Sequence, residues 1–152
     1  MATLHHQVWI DAPVGRIYDA LASAEGLGRW WAPHTSTRTD DGLVLAHDPG
    51  ELHGEVRMKV IATEPGQRVE WEIVSAHPRR SPASAWTGTR ISFELSEREN
   101  PGAWLGIVSE SPVLTVLEFR HSGWDEKSEF FGFCNFAWGV TLQMLQQWCE
   151  AR

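Results

Sequence analysis

Leu4, His6, Val8 and Ile10 alternate with His5, Gln7 and Trp9, a period of two that predicts a strand with one apolar face. Asp11-Ala12-Pro13 then reads as a helix start, with Asp11 or Ala12 near the cap and Pro13 in the first turn. Val14, Ile17, Tyr18 and Leu21 follow at helical spacing. Ser23 is placed to cap a second short helix carrying Leu27, Trp30 and Trp31, and Pro33 limits how far it runs.

Short strands separated by turns come next. Asp40-Asp41-Gly42 is a hairpin signal before Leu43 to His47, and Asp48-Pro49-Gly50 is another turn. Val56, Met58 and Val60 alternate. Glu64-Pro65-Gly66-Gln67 turns the chain into Val69, Trp71 and Ile73, again at period two. His77 to Ala85, rich in Pro, Ser and Arg, reads as a loop. Thr89, Ile91, Phe93 and Leu95 share the face of a further strand, and Asn100-Pro101-Gly102 opens a second irregular stretch. Thr115, Leu117, Phe119 and His121 form one face of the last strand.

From about Trp124 to Glu150 the pattern predicts a helix. On a helical wheel Glu129, Asn135, Gln143, Gln146, Gln147 and Glu150 fall in one sector of roughly 120°, and almost everything else is apolar. An arc that wide predicts a helix gripped on three sides by a curved sheet. The order is strand, two short helices, five or six more strands, then a long helix. Tight turns between consecutive strands imply an antiparallel meander, and segregated helices make the chain α+β. Neither a repeat nor a linker divides residues 1–152, so one domain is expected.

These elements carry a resemblance. Val8-Trp9-Ile10-Asp11-Ala12-Pro13-Val14, with Ile17, Leu21 and Trp30-Trp31-Ala32-Pro33 behind it, resembles the opening of SRPBCC (START-like, Bet v-like) domains. The branch it resembles is that of the C-terminal domain of the 90-kDa heat-shock protein ATPase activator. Thr87-Gly88-Thr89-Arg90-Ile91 is similar to that family's first residues of a central strand. Phe119-Arg120-His121-Ser122-Gly123-Trp124 resembles its last strand turning into the long helix, and Phe133-Cys134-Asn135, Trp138, Leu142 and Leu145 resemble the helix. The resemblance spans nearly the whole chain. It implies a helix-grip fold with a cavity between a curved antiparallel sheet of six or seven strands and the C-terminal helix. The superfamily holds lipid and hormone binders, polyketide cyclases and co-chaperone domains, so fold alone does not select among them. The additional N-terminal domain of the eukaryotic co-chaperone is not in this sequence, which places ATPase-activator activity behind ligand binding as an expectation.

Composition narrows the choice. Thirteen basic and 20 acidic side chains leave a net charge of −7, and the only close basic pair is Arg79-Arg80, so no phosphate-gripping face is expected. No apolar run approaches the roughly 18 residues of a membrane span. Met1 to Ile10 lacks the pattern of a signal peptide, and with two free thiols a cytoplasmic protein is expected. Cys134 and Cys149 lie 15 residues apart, about 22 Å along one helix, too far for a disulfide. Nine tryptophans, each able to bury roughly 150–250 Å², point to a bulky core or to rings lining a cavity.

The candidate ligand site follows from strand parity and helix facing. Trp30 and Trp31 stand about 100° apart on their helix, so one can line a cavity while the other packs elsewhere. Trp71, Phe93, Leu117 and Phe119 face inward from the sheet, and Phe133, Ala137, Trp138, Thr141 and Met144 are expected to face them from the helix. The competing reading is an ordinary core with no void, since interiors pack to a density of about 0.75. His121 sits on the inward parity of the last strand. It is either a polar anchor for a ligand or a structural histidine, and no acid shares its strand parity to make a catalytic pair. Gly132 and Gly139, which flank Phe136, would permit close approach of another chain, so a homodimer is an open expectation. His5-His6, His47-Asp48 and His53 with Glu55 lack the spacing of a metal site, and no nucleophile elbow or phosphate loop appears. The leading expectation is non-catalytic binding of a small apolar molecule, lipid-like or aromatic, without metal or cofactor. A cyclase- or hydrolase-type enzyme using the same cavity and a chaperone-interacting domain are the alternatives.

Overall fold

Alternation along the first ten residues buries Leu4 and Ile10, and their strand, β1 (Ala2–Ile10), pairs antiparallel with the last strand of the chain. The computed structural model describes residues 1–102 and 109–151. After β1 come α1 (Val14–Leu21), α2 (Ala24–Trp30), β2 (Thr35–Thr39), β3 (Gly42–His47), β4 (Val56–Glu64), β5 (Arg68–Ile73), β6 (Arg90–Glu99), β7 (Val113–Trp124) and α3 (Phe131–Glu150). Seven strands form one antiparallel sheet in the order β1-β7-β6-β5-β4-β3-β2. A register shift between Val60 and Ala62 marks a bulge in β4, which increases local twist and bends the sheet. The expected α+β helix-grip arrangement, with two short helices after the first strand, is the one observed.

Local chemistry explains the ends of the elements. The Ser23 hydroxyl accepts from the Gly26 amide at 3.0 Å and caps α2 as expected. Pro13, not Asp11 or Ala12, occupies the N-cap of α1, with extended backbone and no side-chain cap. Gln67 closes the β4–β5 turn onto the Glu64 carbonyl at 2.9 Å, with Gly66 at a φ of 70°. The long helix starts at Phe131, later than the sequence pattern predicts. Trp124 instead ends β7, and the Asp125 carboxylate accepts from Lys127 N–H at 2.9 Å, making a turn that holds the chain out of helix.

Inside the grip the rings touch one another. Trp71 meets Phe93 at 5.1 Å between centroids, Phe93 meets Phe119 at 5.3 Å, and Phe119 meets Trp138 of α3 at 4.5 Å. Sheet and helix are therefore joined by a packed ring column where a hollow was expected. Only one face of α3 is covered: Cys134, Trp138, Leu142, Leu145 and Cys149 are buried, whereas Phe133, Phe136, Val140 and Met144 are exposed. The helix is held along one side, not three, because the sheet and the short helices reach only that side. At its far end Arg16 of α1 donates to the carbonyls of Cys149 at 2.9 Å and Trp148 at 3.2 Å. Its guanidinium also lies 4.3 Å from the Trp148 ring centroid, a cation placed where the helix dipole favours one.

Where α1 turns into α2 the backbones approach so closely that a Cβ on Gly26 would lie 2.1 Å from the Asp19 carbonyl oxygen. Gly28, in the same helix, has nothing within 4 Å of such a Cβ. Gly26→Ala is expected to lower unfolding free energy by about 2 kcal/mol or more, and Gly28→Ala to leave it unchanged or raise it by up to about 1 kcal/mol. Urea denaturation of the two variants checks this, and equal midpoints would contradict the close crossing.

Candidate functional site

His121, fully buried on the inward parity of β7, has both ring nitrogens engaged. Trp138 Nε1–H donates to His121 Nδ1 at 3.1 Å, so Nδ1 is the bare nitrogen and Nε2 carries the proton. Nε2–H then donates to Thr89 Oγ1 at 2.7 Å, and the Thr89 hydroxyl donates to the Trp86 carbonyl. The donors run in one direction from α3 to the loop before β6. Burial alone holds the imidazole near a pKa of about 3, so it is neutral at physiological pH. With no acid bonded to it among the described residues and both nitrogens engaged, His121 positions other groups.

The relay places two indoles. Trp86 stacks on Trp138 at 5.6 Å with the planes 17° apart, and its Nε1–H donates to Cys134 Sγ at 3.4 Å. Trp31, the residue that ends α2, leans against Trp138 at 5.5 Å. Its neighbour Trp30 stacks beneath it at 5.8 Å, buried, with Nε1–H donating to the Ala20 carbonyl at 2.8 Å. Between these rings lies a cleft on the flank of α3. One lobe of about 190 Å³ is lined by Trp31, His47, Pro49, Trp86, Trp138 and Thr141, with Ala137 at its edge. A second of about 170 Å³ shares His47, Pro49, Trp86 and Ala137 with it and continues to Phe133 and Cys134.

His47 is the polar feature of this cleft. It ends β3, is 8% exposed, and lines both lobes. Its Nδ1 is sealed from solvent without a hydrogen-bond partner. The ring lies tilted against Trp31 at 4.8 Å and against His34 at 4.6 Å, and burial followed by the repulsion of His34 pulls its pKa down to about 4. His34 donates from Nδ1 to the Ala32 carbonyl, leaving its buried Nε2 unpartnered. The neighbouring histidines are committed: His53 bonds Ser81 Oγ at 2.7 Å, and His77 bonds Ser75 Oγ at 2.7 Å and the His53 carbonyl at 2.8 Å.

The structure brings Trp31, Phe133, Ala137, Trp138 and Thr141 of the expected site to the cleft. Trp71, Phe93, Leu117 and Phe119 are fully buried in the ring column beneath it and line neither lobe. Trp30 is in the core, and Met144 is on the exposed face of α3. Sequence reasoning missed His47, Pro49 and Trp86. His47 shares strand parity with inward-facing Leu45, the same signal that singled out His121. Trp86 follows a Pro/Ser-rich loop, where a large ring without polar company is itself a sign of docking.

A larger hollow of about 450 Å³ lies at the C-terminal end of α3, between Asp11, Arg16, Glu97, Thr115 and Glu150. It is polar, and its one guanidinium caps the helix. Among the described residues, no group of three His, Cys, Asp or Glu side chains could hold a metal ion, and no helix is long and apolar enough to cross a membrane.

No protein-family model and no curated protein sequence matches the chain. Solved structures do. The Aha1 dimer from Colwellia psychrerythraea, a solution structure, is 28% identical, covers 99% of this chain and 97% of its own, and superposes with a TM-score of 0.69. Protein MLL2253 from Mesorhizobium loti is 18% identical with 97% and 96% covered and a TM-score of 0.70. CalU16 from Micromonospora echinospora is 16% identical with 97% and 76% covered and a TM-score of 0.66. The last two are similar in fold alone.

Because His47 and His121 are both held below the ordinary histidine pKa of 6.5, the folded state binds fewer protons than the unfolded chain once pH drops past 6.5. Their stabilisation is complete above pH 6.5 and is lost as pH falls through about 4 for His47 and about 3 for His121. At 1.36 kcal/mol per pKa unit the loss reaches roughly 3 and 5 kcal/mol respectively. Urea midpoints are expected to fall steeply from pH 7 to pH 4, and less steeply in His47→Leu; a flat profile would mean that neither imidazole is buried neutral.

Proposed function

We propose that this START-like (SRPBCC, Bet v-like) domain, whose likeness falls on the Aha1 branch, binds a small, flat apolar molecule in the cleft between α3 and Trp31, without chemistry on it. The observation that carries this reading is a three-indole wall left open at the flank of an otherwise filled core. Apolar walls with a few polar groups are the usual make-up of small-molecule sites. Size limits the occupant. A cavity of about 150 Å³ accepts benzene, and drug-sized ligands need about 300 Å³ or more, so lobes of about 190 and 170 Å³ fit one or two fused rings better than a sterol or acyl chain.

Thermal-shift and tryptophan-fluorescence titrations against one- and two-ring aromatics, sterols and fatty acids test this. Ligand at about 100 times its Kd stabilises by about 2.7 kcal/mol, which corresponds to a rise in Tm of about 5–10 °C for a domain of this size. The aromatics are expected to give that rise. Trp31→Ala removes a partly buried wall of the cleft, and is expected to abolish the shift while the variant still unfolds cooperatively. No response from any class would end the ligand reading.

A second reading rests on the exposed stripe Phe133, Phe136, Val140 and Met144 along α3. Single exposed apolar residues are ordinary, but a contiguous row on one helix face favours a protein contact. Aha1 from Colwellia forms a dimer, and we propose a second copy of this chain as the occupant here. Sedimentation velocity is expected to give about twice the 17.2 kDa chain mass, and Phe136→Glu to give the monomer. A wild-type monomer at high concentration would remove this reading, and stimulation of a chaperone ATPase by that monomer would give the stripe to a chaperone instead.

A further inference from the structure

Neither lobe has an Asp, Glu, Lys or Arg in its wall. An anionic ligand would lose its hydration without meeting a counter-charge, which is strongly unfavourable in a low-dielectric site. His47 does not supply that charge, because burial keeps the ring neutral down to about pH 4.

A neutral imidazole offers one N–H and one lone pair. Here it lies against rings, 8% exposed, with Nδ1 sealed away from the cleft, so the ring meets a ligand at Nε2. Thr141, a second polar side chain of the first lobe, donates its hydroxyl proton to the Ala137 carbonyl at 2.9 Å and so presents acceptor lone pairs only. The cleft therefore presents the Nε2 edge of His47 and acceptor capacity on Thr141 within a wall that is otherwise mostly apolar, with His53 and Cys134 at the second lobe. A hydroxyl both donates and accepts at one atom, so it matches the imidazole whichever nitrogen carries the proton.

We propose that the cleft selects a neutral, flat aromatic ring bearing a hydroxyl group, with the ring against Trp31, Trp86 and Trp138 and the hydroxyl on His47. This rests on the ligand-binding reading above and names the chemical class it takes. His47 is then a specificity residue. It adds little to apolar burial and instead separates a hydroxylated ring from its bare counterpart.

The test measures Kd for 2-naphthol, naphthalene, 2-naphthoate and tetramethylammonium from the indole N–H shifts of the intact chain in NMR titrations. The expected order puts 2-naphthol about tenfold tighter than naphthalene, against their order of hydrophobicity, with 2-naphthoate and tetramethylammonium weaker still. His47→Leu is expected to bring 2-naphthol and naphthalene to equal affinity. The wild-type series decides the matter even if that variant fails to fold. Equal binding of naphthol and naphthalene to the wild type would overturn the proposal and leave the ligand-binding reading standing. Tightest binding of naphthoate or of the ammonium ion would overturn it by charge. Retention of the hydroxyl preference in folded His47→Leu would remove His47 from the role, and no binding by any of the four would overturn both the proposal and the reading beneath it.

Discussion

The hydrogen bond from Trp138 to His121 sets the rotation of α3 about its own axis, and most other features depend on that rotation. Hydrophobic burial alone would not select it. The apolar arc of the helix is wide enough that several rotations would cover comparable area, and burial is proportional to area without regard to direction. A directional bond between two buried groups discriminates where area does not. If α3 turned by one residue, His121 and the Trp138 indole would both lose partners in a site closed to water, each loss costing about 1–3 kcal/mol. With Trp138 fixed inward, helical geometry sends Cys134, Leu142, Leu145 and Cys149 inward with it and turns Phe133, Phe136, Val140 and Met144 to solvent.

The same bond begins the relay that ends on the Trp86 carbonyl, so one polar thread positions two of the three indoles of the cleft. Thr89, just before β6, reaches His121 of β7, and the β6–β7 register pairs Ile91 with His121 and Phe93 with Phe119. Sheet register is thus converted into the placement of a loop ring and a helix ring. Arg16 does the corresponding work at the opposite end of α3, tying its last carbonyls to α1. A helix fixed at a middle residue and at its C-terminus has little freedom to roll, and the cleft on its flank is held in shape.

Much of this was legible in the sequence because period-two alternation and turn chemistry are local signals. Val69, Trp71 and Ile73 on one parity, Ser23 before its helix and the Glu64–Gln67 turn all match the structure, as does the order of elements. What escaped was what depends on volume and on tertiary partners. Trp71, Phe93 and Phe119 were readable as inward-facing, yet parity says nothing of whether inward-facing rings meet or leave a gap; they meet. The start of α3 was misplaced because Asp125 to Glu129 hold no Pro or Gly to break a helix, while the Asp125 carboxylate closes a turn that hydropathy does not register. Trp86 lies in a loop without periodicity, so only its contact with Trp138 gives it a role.

A filled interior and an open flank resolve opposing demands on a chain of 152 residues. A void beneath α3 would remove dispersion contacts from the rings that join helix to sheet, and that loss grows with cavity volume. Placing the cleft beside the helix leaves the column from Trp71 through Phe93 and Phe119 to Trp138 unbroken, and uses only its outermost ring as a wall. The polar groups divide in the same way. His121, inside the column, has every nitrogen satisfied and serves the fold, whereas His47, at the open rim, has a nitrogen without a protein partner. Two buried neutral histidines on inward-facing strand positions therefore take opposite roles, and hydrogen-bond satisfaction rather than burial or pKa separates them.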